Sequence, residues 1–248
     1  MNAIYIMWLR EMKRYLRSKS RIVGSLGQPL LFLLALGFGF GPVYQRAGGG
    51  DYLQFIAPGV IAMAVLFTAV FTGMEIIWDR QFGFLKETLV APVSRVKIVL
   101  GRTLGGATVA LIQGLVVLII CVIAGFRVQS WIWLPVALVF MFLIAILFTS
   151  IGTAFASVLE DIQGFQLIMN FLILPLFFFS NALFPVDGLP KPLHLIVRIN
   201  PLSYGVDGLR GSLSHGFQFG VSWDFLILGG LTLFLLGLGS FLFSRIEL

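Results

Sequence analysis

The sequence has few of the residues that build disulfides, metal sites and catalytic centres. Its single cysteine, Cys121, excludes an intrachain disulfide. Its two histidines, His194 and His215, are too few and too far apart along the chain to hold a metal ion by themselves. We find neither a nucleophile–base arrangement nor the GxxxxGKS/T motif of a phosphate-binding loop. The sequence therefore predicts a chain that is not an enzyme, holds no metal or cofactor, and binds no ATP in the P-loop manner.

Charged residues are scarce as well, at 11% of the 248 residues, whereas soluble domains carry roughly 25%. Hydrophobic residues make up 58% of the chain, and the mean hydropathy is +1.00. A soluble fold of this length cannot bury that much apolar surface, because a folded globule still exposes much of its area. The composition indicates an integral membrane protein.

Six apolar runs are each long enough to cross a bilayer as a helix of about 20 residues. They are continuously apolar, whereas strands of a membrane barrel alternate apolar and polar residues. The chain is therefore predicted to be an all-α integral membrane protein, a single transmembrane domain over residues 1–248. The predicted spans cover approximately 22–41, 58–78, 103–126, 131–158, 165–184 and 224–243.

The basic residues predict the orientation of these spans. All but five of the 17 Lys and Arg residues fall on the side of the spans that carries the N-terminus. The five are Arg46, Arg127, Lys191, Arg198 and Arg210. Because cytoplasmic segments are enriched in Lys and Arg, we predict that both termini are cytoplasmic.

Residues 1–21 precede the first span and have the pattern of an amphipathic helix. Apolar and aromatic residues, Trp8 among them, share one face, which we expect to lie in the lipid headgroups. The opposite face carries Arg10, Lys13, Arg14 and Arg17. This interfacial helix is either a simple anchor or an element that passes motion from a cytoplasmic partner to the first span.

The predicted inner segment 79–102 is longer than a connection between two spans needs. Within it, Phe82, Leu85 and Leu89 form one helical stripe, and Pro92 ends the short helix. Ser94 is placed to cap the next helix. Phe84 projects to another side, where a partner protein would supply a pocket; the alternative is a solvated loop that packs on the headgroups.

The predicted outer segment 185–223 is too apolar for a solvated loop. Asn200 and Pro201 predict a break between two short helices, about 190–198 and 201–213, in a re-entrant hairpin. Asp207 and Arg210 lie three residues apart and could pair. Such a pair would stabilise the hairpin or form part of an outer gate.

The middles of the predicted spans carry no acidic residue, which argues against a carrier driven by protons or sodium. Acids near the inner ends, Glu75, Glu160 and Asp161, are expected to pair with basic neighbours. Phenylalanines are abundant, and we expect them to face lipid or the protein core; the alternative is an apolar, aromatic pathway at Phe177, Phe178, Phe179 and Asn181, beside a kink at Pro175. Close helix packing is predicted at Gly37, Gly39 and Gly41.

Two of these segments resemble a known family. The inner segment resembles the coupling helix of ABC type-2 exporter permeases, and the outer one resembles the FPxxxLP and NPL-S/T-xxxD motifs of that family. The subgroup most similar to this chain includes drug-resistance permeases and nodulation-factor export permeases. The matching inner residues are Gly83, Phe84, Leu85, Lys86, Glu87, Thr88, Leu89 and Pro92. The matching outer residues are Phe184, Pro185, Leu189, Pro190, Asn200, Pro201, Leu202, Ser203, Asp207, Leu209 and Arg210, with Tyr204 added to the gate candidates.

The resemblance implies a function that composition alone does not give. It implies the membrane subunit of an ATP-driven exporter in the plasma membrane of a prokaryote. Its partners would be two P-loop ATPase subunits that carry ATP and Mg, a second permease copy or homologue, and membrane lipids, but no nucleic acid. The substrate would be amphiphilic: a drug, a lipid, or a lipid-linked oligo- or polysaccharide. The alternatives are an autonomous channel or secondary carrier, and a membrane scaffold without transport.

Overall fold

The computed structural model describes residues 3–46, 50–185, 190–214 and 216–245, and in these residues all regular structure is helical. A π-helical segment, Leu33–Phe40, continues α2 into α3, and a short 3-10 turn, Trp131–Trp133, leads into α8. The helices are α1 (Ala3–Arg17), α2 (Lys19–Phe32), α3 (Gly41–Arg46), α4 (Tyr52–Phe71), α5 (Met74–Gln81), α6 (Phe84–Val90), α7 (Arg95–Ile123), α8 (Leu134–Val158), α9 (Ile162–Phe178), α10 (Lys191–Ile199), α11 (Pro201–Ser214) and α12 (Val221–Ser244).

Five helical stretches within the described ranges are long and apolar enough to cross a membrane. They are Lys19–Arg46, Tyr52–Gln81, Arg95–Ile123, Trp131–Val158 and Val221–Ser244. The all-α membrane architecture is thus confirmed, and the count of six spans is not.

The predicted fifth span, 165–184, is wrong at its C-terminal end. Helix α9 stops at Phe178 after 17 residues, which is about 26 Å of helix, less than the roughly 30 Å hydrocarbon core. The chain leaves the helix at Phe179, and Asn181 has a φ of 61°. Pro175 lies inside the last turn of α9. Composition continues to be apolar past this point, so a hydropathy pattern alone could not locate the end.

Helix α4 is the centre of the bundle and is buried along almost its whole length. Its neighbours approach closely at glycines, where a side chain would collide with backbone. A Cβ at Gly59 would lie 2.4 Å from the Ala182 carbonyl oxygen, and one at Gly152 would lie 2.4 Å from that of Val70. Close packing through small residues is typical of membrane helices, which lack a hydrophobic drive for association inside lipid.

The three glycines at which close packing was predicted do not provide it, with one partial exception. A Cβ at Gly37 would lie 3.3 Å from Leu53 Cδ1, a tight contact with a flexible side chain. Cβ atoms at Gly39 and Gly41 would meet nothing within 4 Å in the described parts of the chain. The prediction of close packing is therefore wrong for contacts of these two residues inside the chain, since no described helix lies against them.

Helix α1 packs against α7 instead of laying its aromatic face in the headgroups, so that prediction is wrong for the residues that touch α7. A Cβ at Gly101 would lie 2.6 Å from Met7 Cβ, so the two helices approach almost to backbone contact. Trp8 Nε1 donates to Thr108 Oγ1 at 3.0 Å, and the Tyr15 hydroxyl donates to Gln113 Oε1 at 2.7 Å. These two hydrogen bonds give the polar atoms of the aromatic face partners inside the protein.

Candidate functional site

A sharp turn between α5 and α6 positions the predicted coupling helix. The turn is centred on Gly83, whose φ of 80° and ψ of −9° lie in the left-handed region. Its N–H donates to the Arg80 carbonyl at 3.2 Å, and its own carbonyl accepts from Lys86 N at 3.1 Å. Because a side chain strains this conformation, glycine is the residue that suits the position. Helix α6 therefore leaves α5 at a fixed angle.

Helix α6 buries one side and presents the other to its surroundings. Leu85 is buried and Leu89 packs on the core, as the stripe predicted. Phe84 is 52% exposed, which agrees with its projection to another side. Lys86 and Glu87 are exposed, and Thr88 Oγ1 donates to the Phe84 carbonyl at 3.0 Å.

Two details at the ends of α6 differ from the sequence prediction. Phe82 is 69% exposed and stands against Trp78, because it precedes the Gly83 turn and so does not share the face of Leu85. At the other end, Ala91 is extended before the exposed Pro92, as expected. Ser94 precedes α7 at the capping position, yet its side chain makes no capping hydrogen bond in the described structure.

Behind α5 lies a cluster of charges that joins this helix to α1, α7 and α2, here called the charged junction. Its centre is Asp79 of α5, whose side chain is 1% exposed. Arg10 Nη2 of α1 lies 2.8 Å from Asp79 Oδ2, Arg14 Nη2 lies 3.0 Å from Oδ1, and the Arg102 guanidinium of α7 also pairs with this carboxylate. Charge-assisted hydrogen bonds of this kind are the strong ones in a protein interior.

Glu75, one turn earlier on α5, extends the junction. It pairs with Arg14 Nη1 at 3.1 Å and with Arg21 at the start of α2. The expectation that Glu75 pairs with basic neighbours is thus confirmed. Glu160 lies 3.9 Å from Arg80 Nη1, while Asp161 instead caps α9 by accepting from Gly164 N at 2.6 Å.

Sequence reasoning missed Asp79, Arg102 and Glu11 as members of this junction, although a signal was present. Glu75 and Asp79 are four residues apart, and so are Arg10 and Arg14. Two helices with this spacing present matching rows of opposite charge. The sequence does not say which two helices face each other, so the match could be recognised only after the fold was known.

Glu11 of α1 is the third acid of the junction, and it is buried. Burial, and then the hydrogen bond and charge of neighbouring Glu75, raise the pKa of Glu11 to about 8. Arg102 Nε lies 3.8 Å from Glu11 Oε1 and, with Arg14, opposes this shift. Glu11 therefore keeps its proton to a higher pH than a free carboxyl group does.

This proton gives a prediction for Glu11→Gln. The folded protein holds the Glu11 proton up to about pH 8, whereas the unfolded chain releases it near 4.5. The folded state therefore binds more protons between these values, and stability should fall as pH rises through the window. Glutamine keeps a donor toward Glu75 but does not titrate. We expect a flatter profile of unfolding temperature between pH 5 and 9 for the variant, and a higher value than wild type at the alkaline end; parallel profiles would contradict this.

At the opposite end of the bundle, Asn200 joins two helices. Its Oδ1 accepts from Leu202 N at 3.0 Å, which confirms the predicted cap of α11, and Pro201 is the first residue of that helix. Its Nδ2 donates to the carbonyls of Leu176 and Phe179 at 2.6 and 2.9 Å, at the C-terminus of α9. The two short helices α10 and α11 meet at the predicted break.

The predicted ion pair between Asp207 and Arg210 is wrong: within the described ranges no salt bridge joins them. Asp207 accepts from the backbone N–H groups of Gln218 and Phe219 at 2.9–3.0 Å and so fixes the chain that follows α11. Arg210 lies 4.1 Å from the Phe55 ring centre, and its Nη2 donates to the Asn181 carbonyl at 2.7 Å. Both residues are buried, and each forms hydrogen bonds with backbone groups instead of an ion pair with the other.

The other gate and pathway candidates are distributed between core and surface. The Tyr204 hydroxyl donates to the Arg198 carbonyl at 2.6 Å, Pro185 is half-buried, and Leu189 lies outside the described residues. Phe177 is fully buried and packs edge-on against Phe32. Phe178, Phe179 and Asn181 line a cavity of about 450 Å³ with Leu174, Pro175, Phe184, Leu193 and Val197. Their place in a pathway stays a prediction.

Comparison with known proteins assigns this architecture to a family. Residues 2–214 match the family model described as ABC-2 type transporter. The chain belongs to that family. The ABC-2 match includes α1, the charged junction, α6 and the pair α10–α11, and it confirms the resemblance found in the sequence.

Curated relatives support the ABC-2 assignment over most of the chain. Nodulation protein J of Rhizobium leguminosarum bv. trifolii is 29% identical over 208 residues, which is 83% of this chain and 76% of the relative. The putative transport permease ycf38 of Pyropia yezoensis is 30% identical over 237 residues, which is 90% of this chain and 79% of the relative. The probable doxorubicin resistance ABC transporter permease protein DrrC of Mycobacterium tuberculosis is 27% identical over 212 residues, which is 84% of this chain and 75% of the relative. Two of these three relatives are permeases by name, in keeping with a multi-pass membrane transporter subunit.

Proposed function

We propose that this ABC-2 chain is the membrane subunit of an ATP-driven exporter, and that a separate P-loop ATPase docks on α6. The observation that carries the proposal is the half-exposed Phe84 on α6. The buried Leu85 packs this helix against the protein, and the turn at Gly83 determines its direction. An aromatic side chain is costly to leave in water and favourable to place in a partner's pocket. Exposed Lys86 and Glu87 flank it and would fix the register of docking.

The charged junction gives α6 a mechanical connection to the rest of the bundle. A push on α6 is passed through the Gly83 turn to α5, and Asp79 on α5 is bound to α1 and α7. Because α5 continues α4 through the turn at residues 72 and 73, the same push reaches the centre of the bundle. ATP-driven closure of two ATPases would in this way move several spans of each permease together.

We further propose that two permease chains, identical or homologous, enclose the pathway in a prokaryotic plasma membrane, with both termini cytoplasmic. The imbalance of Lys and Arg supports this orientation. An amphiphilic substrate is supported by the apolar cavity beside Phe178 and Phe179. The name of one relative refers to doxorubicin resistance, which fits export of an amphiphile.

The test is association of the ATPase with a Phe84→Asp variant. The cognate ATPase, sought first in an adjacent gene, is co-expressed with the tagged permease and purified in mild detergent. We expect Phe84→Asp to reduce ATPase recovery by about tenfold or more, since a charge in an apolar docking pocket costs several kcal/mol. The unfolding temperature of the isolated permease should stay near that of wild type, because Phe84 is half-exposed.

Val96→Asp is the matched control, because Val96 is 49% exposed at the start of α7 and outside α6. It should retain the ATPase. Undiminished ATPase association and transport in Phe84→Asp would overturn the docking proposal. Transport by vesicles that contain the permease alone, driven by an ion gradient, would favour a secondary carrier instead.

A further inference from the structure

A second surface feature lies at the joint between α1 and α2, away from α6. The helices meet at Ser18, whose φ of −98° and ψ of 76° interrupt the helical path. Around this joint is an open recess of about 910 Å³, here called the basic recess. Its lining residues are Ile6, Leu9, Arg10, Lys13, Arg14, Arg17, Ser18, Lys19 and Ser20.

The basic recess carries an excess of positive charge. Five of the lining residues are cations and none is an acid. Arg10 and Arg14 direct their guanidinium groups to the charged junction. Lys13, Arg17 and Lys19 are exposed, and they make no ion pair with any residue in the described part of the chain. An anion that entered the recess would meet three cations without an internal competitor.

The arrangement of these three cations suits one compact anion. Lys13 and Arg17 are four residues apart on α1 and therefore lie on the same face. Lys19 follows at the first position of α2, across the Ser18 joint. The Ser18 side chain does not cap α2 in the described structure, so the N–H groups of its first turn add to the positive potential there.

Apolar side chains around the recess indicate what the anion is attached to. Ile6 and Leu9 line the recess, and Ile6 is 46% exposed. Leu16 and Val23, on the two sides of the joint, are 61% and 70% exposed. The stretch Lys19–Arg46 that starts here is long and apolar enough to cross a membrane, so we expect the recess to lie where headgroups meet acyl chains.

We propose that the basic recess binds the phosphodiester headgroup of an anionic phospholipid, held by Lys13, Arg17 and Lys19, with its acyl chains along Ile6 and Val23. A free phosphate would use the same three cations, but it gains nothing from the apolar surroundings. A bound lipid would brace the joint between α1 and α2 and hence the position of α1 on the charged junction. The proposal is independent of ATPase docking on α6.

The experiment measures retention of dioleoyl phosphatidylglycerol by the purified full-length chain, by native mass spectrometry and by binding in nanodiscs of phosphatidylcholine. The test variant replaces Lys13, Arg17 and Lys19 with glutamine. The control variant replaces Lys97, Arg127 and Lys191 with glutamine. These are three exposed cations outside the basic recess, so the control removes the same net charge.

Each cation near an anionic surface strengthens binding roughly fivefold, so we expect the test variant to bind phosphatidylglycerol about 100-fold more weakly. The control variant should bind as wild type does. Equal binding by the test variant and wild type would overturn the proposal. Inorganic phosphate that binds as strongly as the lipid would overturn the lipid assignment. Release of the ATPase by the test variant, with lipid binding unchanged, would overturn it too and would place the recess in a protein interface.

Discussion

Replacing Asp79 with asparagine should destabilise the protein by about 3–5 kcal/mol, the usual cost of removing one partner from a buried ion pair. Asp79 is 1% exposed and is shared by the guanidinium groups of Arg10, Arg14 and Arg102. Without its charge, the buried Arg102 loses its closest anion, and α1 loses the ion pairs of Arg10 and Arg14 with Asp79. The unfolding transition of the purified chain in detergent, followed by circular dichroism, measures the effect.

Glu160→Gln is the matched control for this prediction. It removes an acid from an ion pair with Arg80, but the Glu160 side chain is 86% exposed and the two atoms are 3.9 Å apart. Exposed pairs of this kind contribute about 0–1 kcal/mol, so a small effect is expected. Equal losses in the two variants would show that burial of the charged junction does not stabilise the protein.

A double substitution separates charge from shape at the charged junction. Arg102 is 5% exposed, and its Nε and Nη1 have no hydrogen-bond partner in the described structure. Arg102→Met combined with Asp79→Asn should recover part of the stability lost by Asp79→Asn alone, because it removes the buried cation that was left unpaired. Additive losses would mean that the two residues stabilise the fold independently.

Replacing Gly152 with valine should destabilise the protein by about 3 kcal/mol or more and should prevent accumulation of folded protein. A Cβ at this position would lie 2.4 Å from the Val70 carbonyl oxygen. Across the same contact, a Cβ at Gly73 would lie 2.5 Å from backbone atoms of Gly152. Overpacking that a side chain can relieve costs about 1–3 kcal/mol, and a backbone neighbour has no rotamer with which to relieve it.

The control for Gly152→Val is Gly237→Val in α12, where a Cβ would meet no described atom within 4 Å. Size-exclusion chromatography of the solubilised membrane fraction, together with unfolding temperature, should find Gly237→Val near wild type and Gly152→Val aggregated or strongly destabilised. A monodisperse Gly152→Val with the stability of wild type would contradict the close approach of α8 to the α4–α5 turn.

Local features of this protein followed from the sequence because short-range chemistry determines them. Continuous apolar runs predicted membrane helices, since a lipid environment requires each span to satisfy its own backbone. Pro92 and the pair Asn200–Pro201 marked helix boundaries, since proline restricts the conformation of its neighbours. The buried Leu85 and half-exposed Phe84 followed from helical periodicity.

Only the tertiary structure decided which of these elements touch. Asp79 meets Arg10 across 69 residues of chain, and Tyr15 meets Gln113 across 98, and the sequence does not say which helices face each other. The same limitation explains the error at Asp207 and Arg210. These residues are three positions apart in the sequence, yet each forms hydrogen bonds with backbone groups and not with the other. Periodicity determined which face of each helix is apolar, whereas long-range packing decided whether that face meets lipid, α7 or the charged junction.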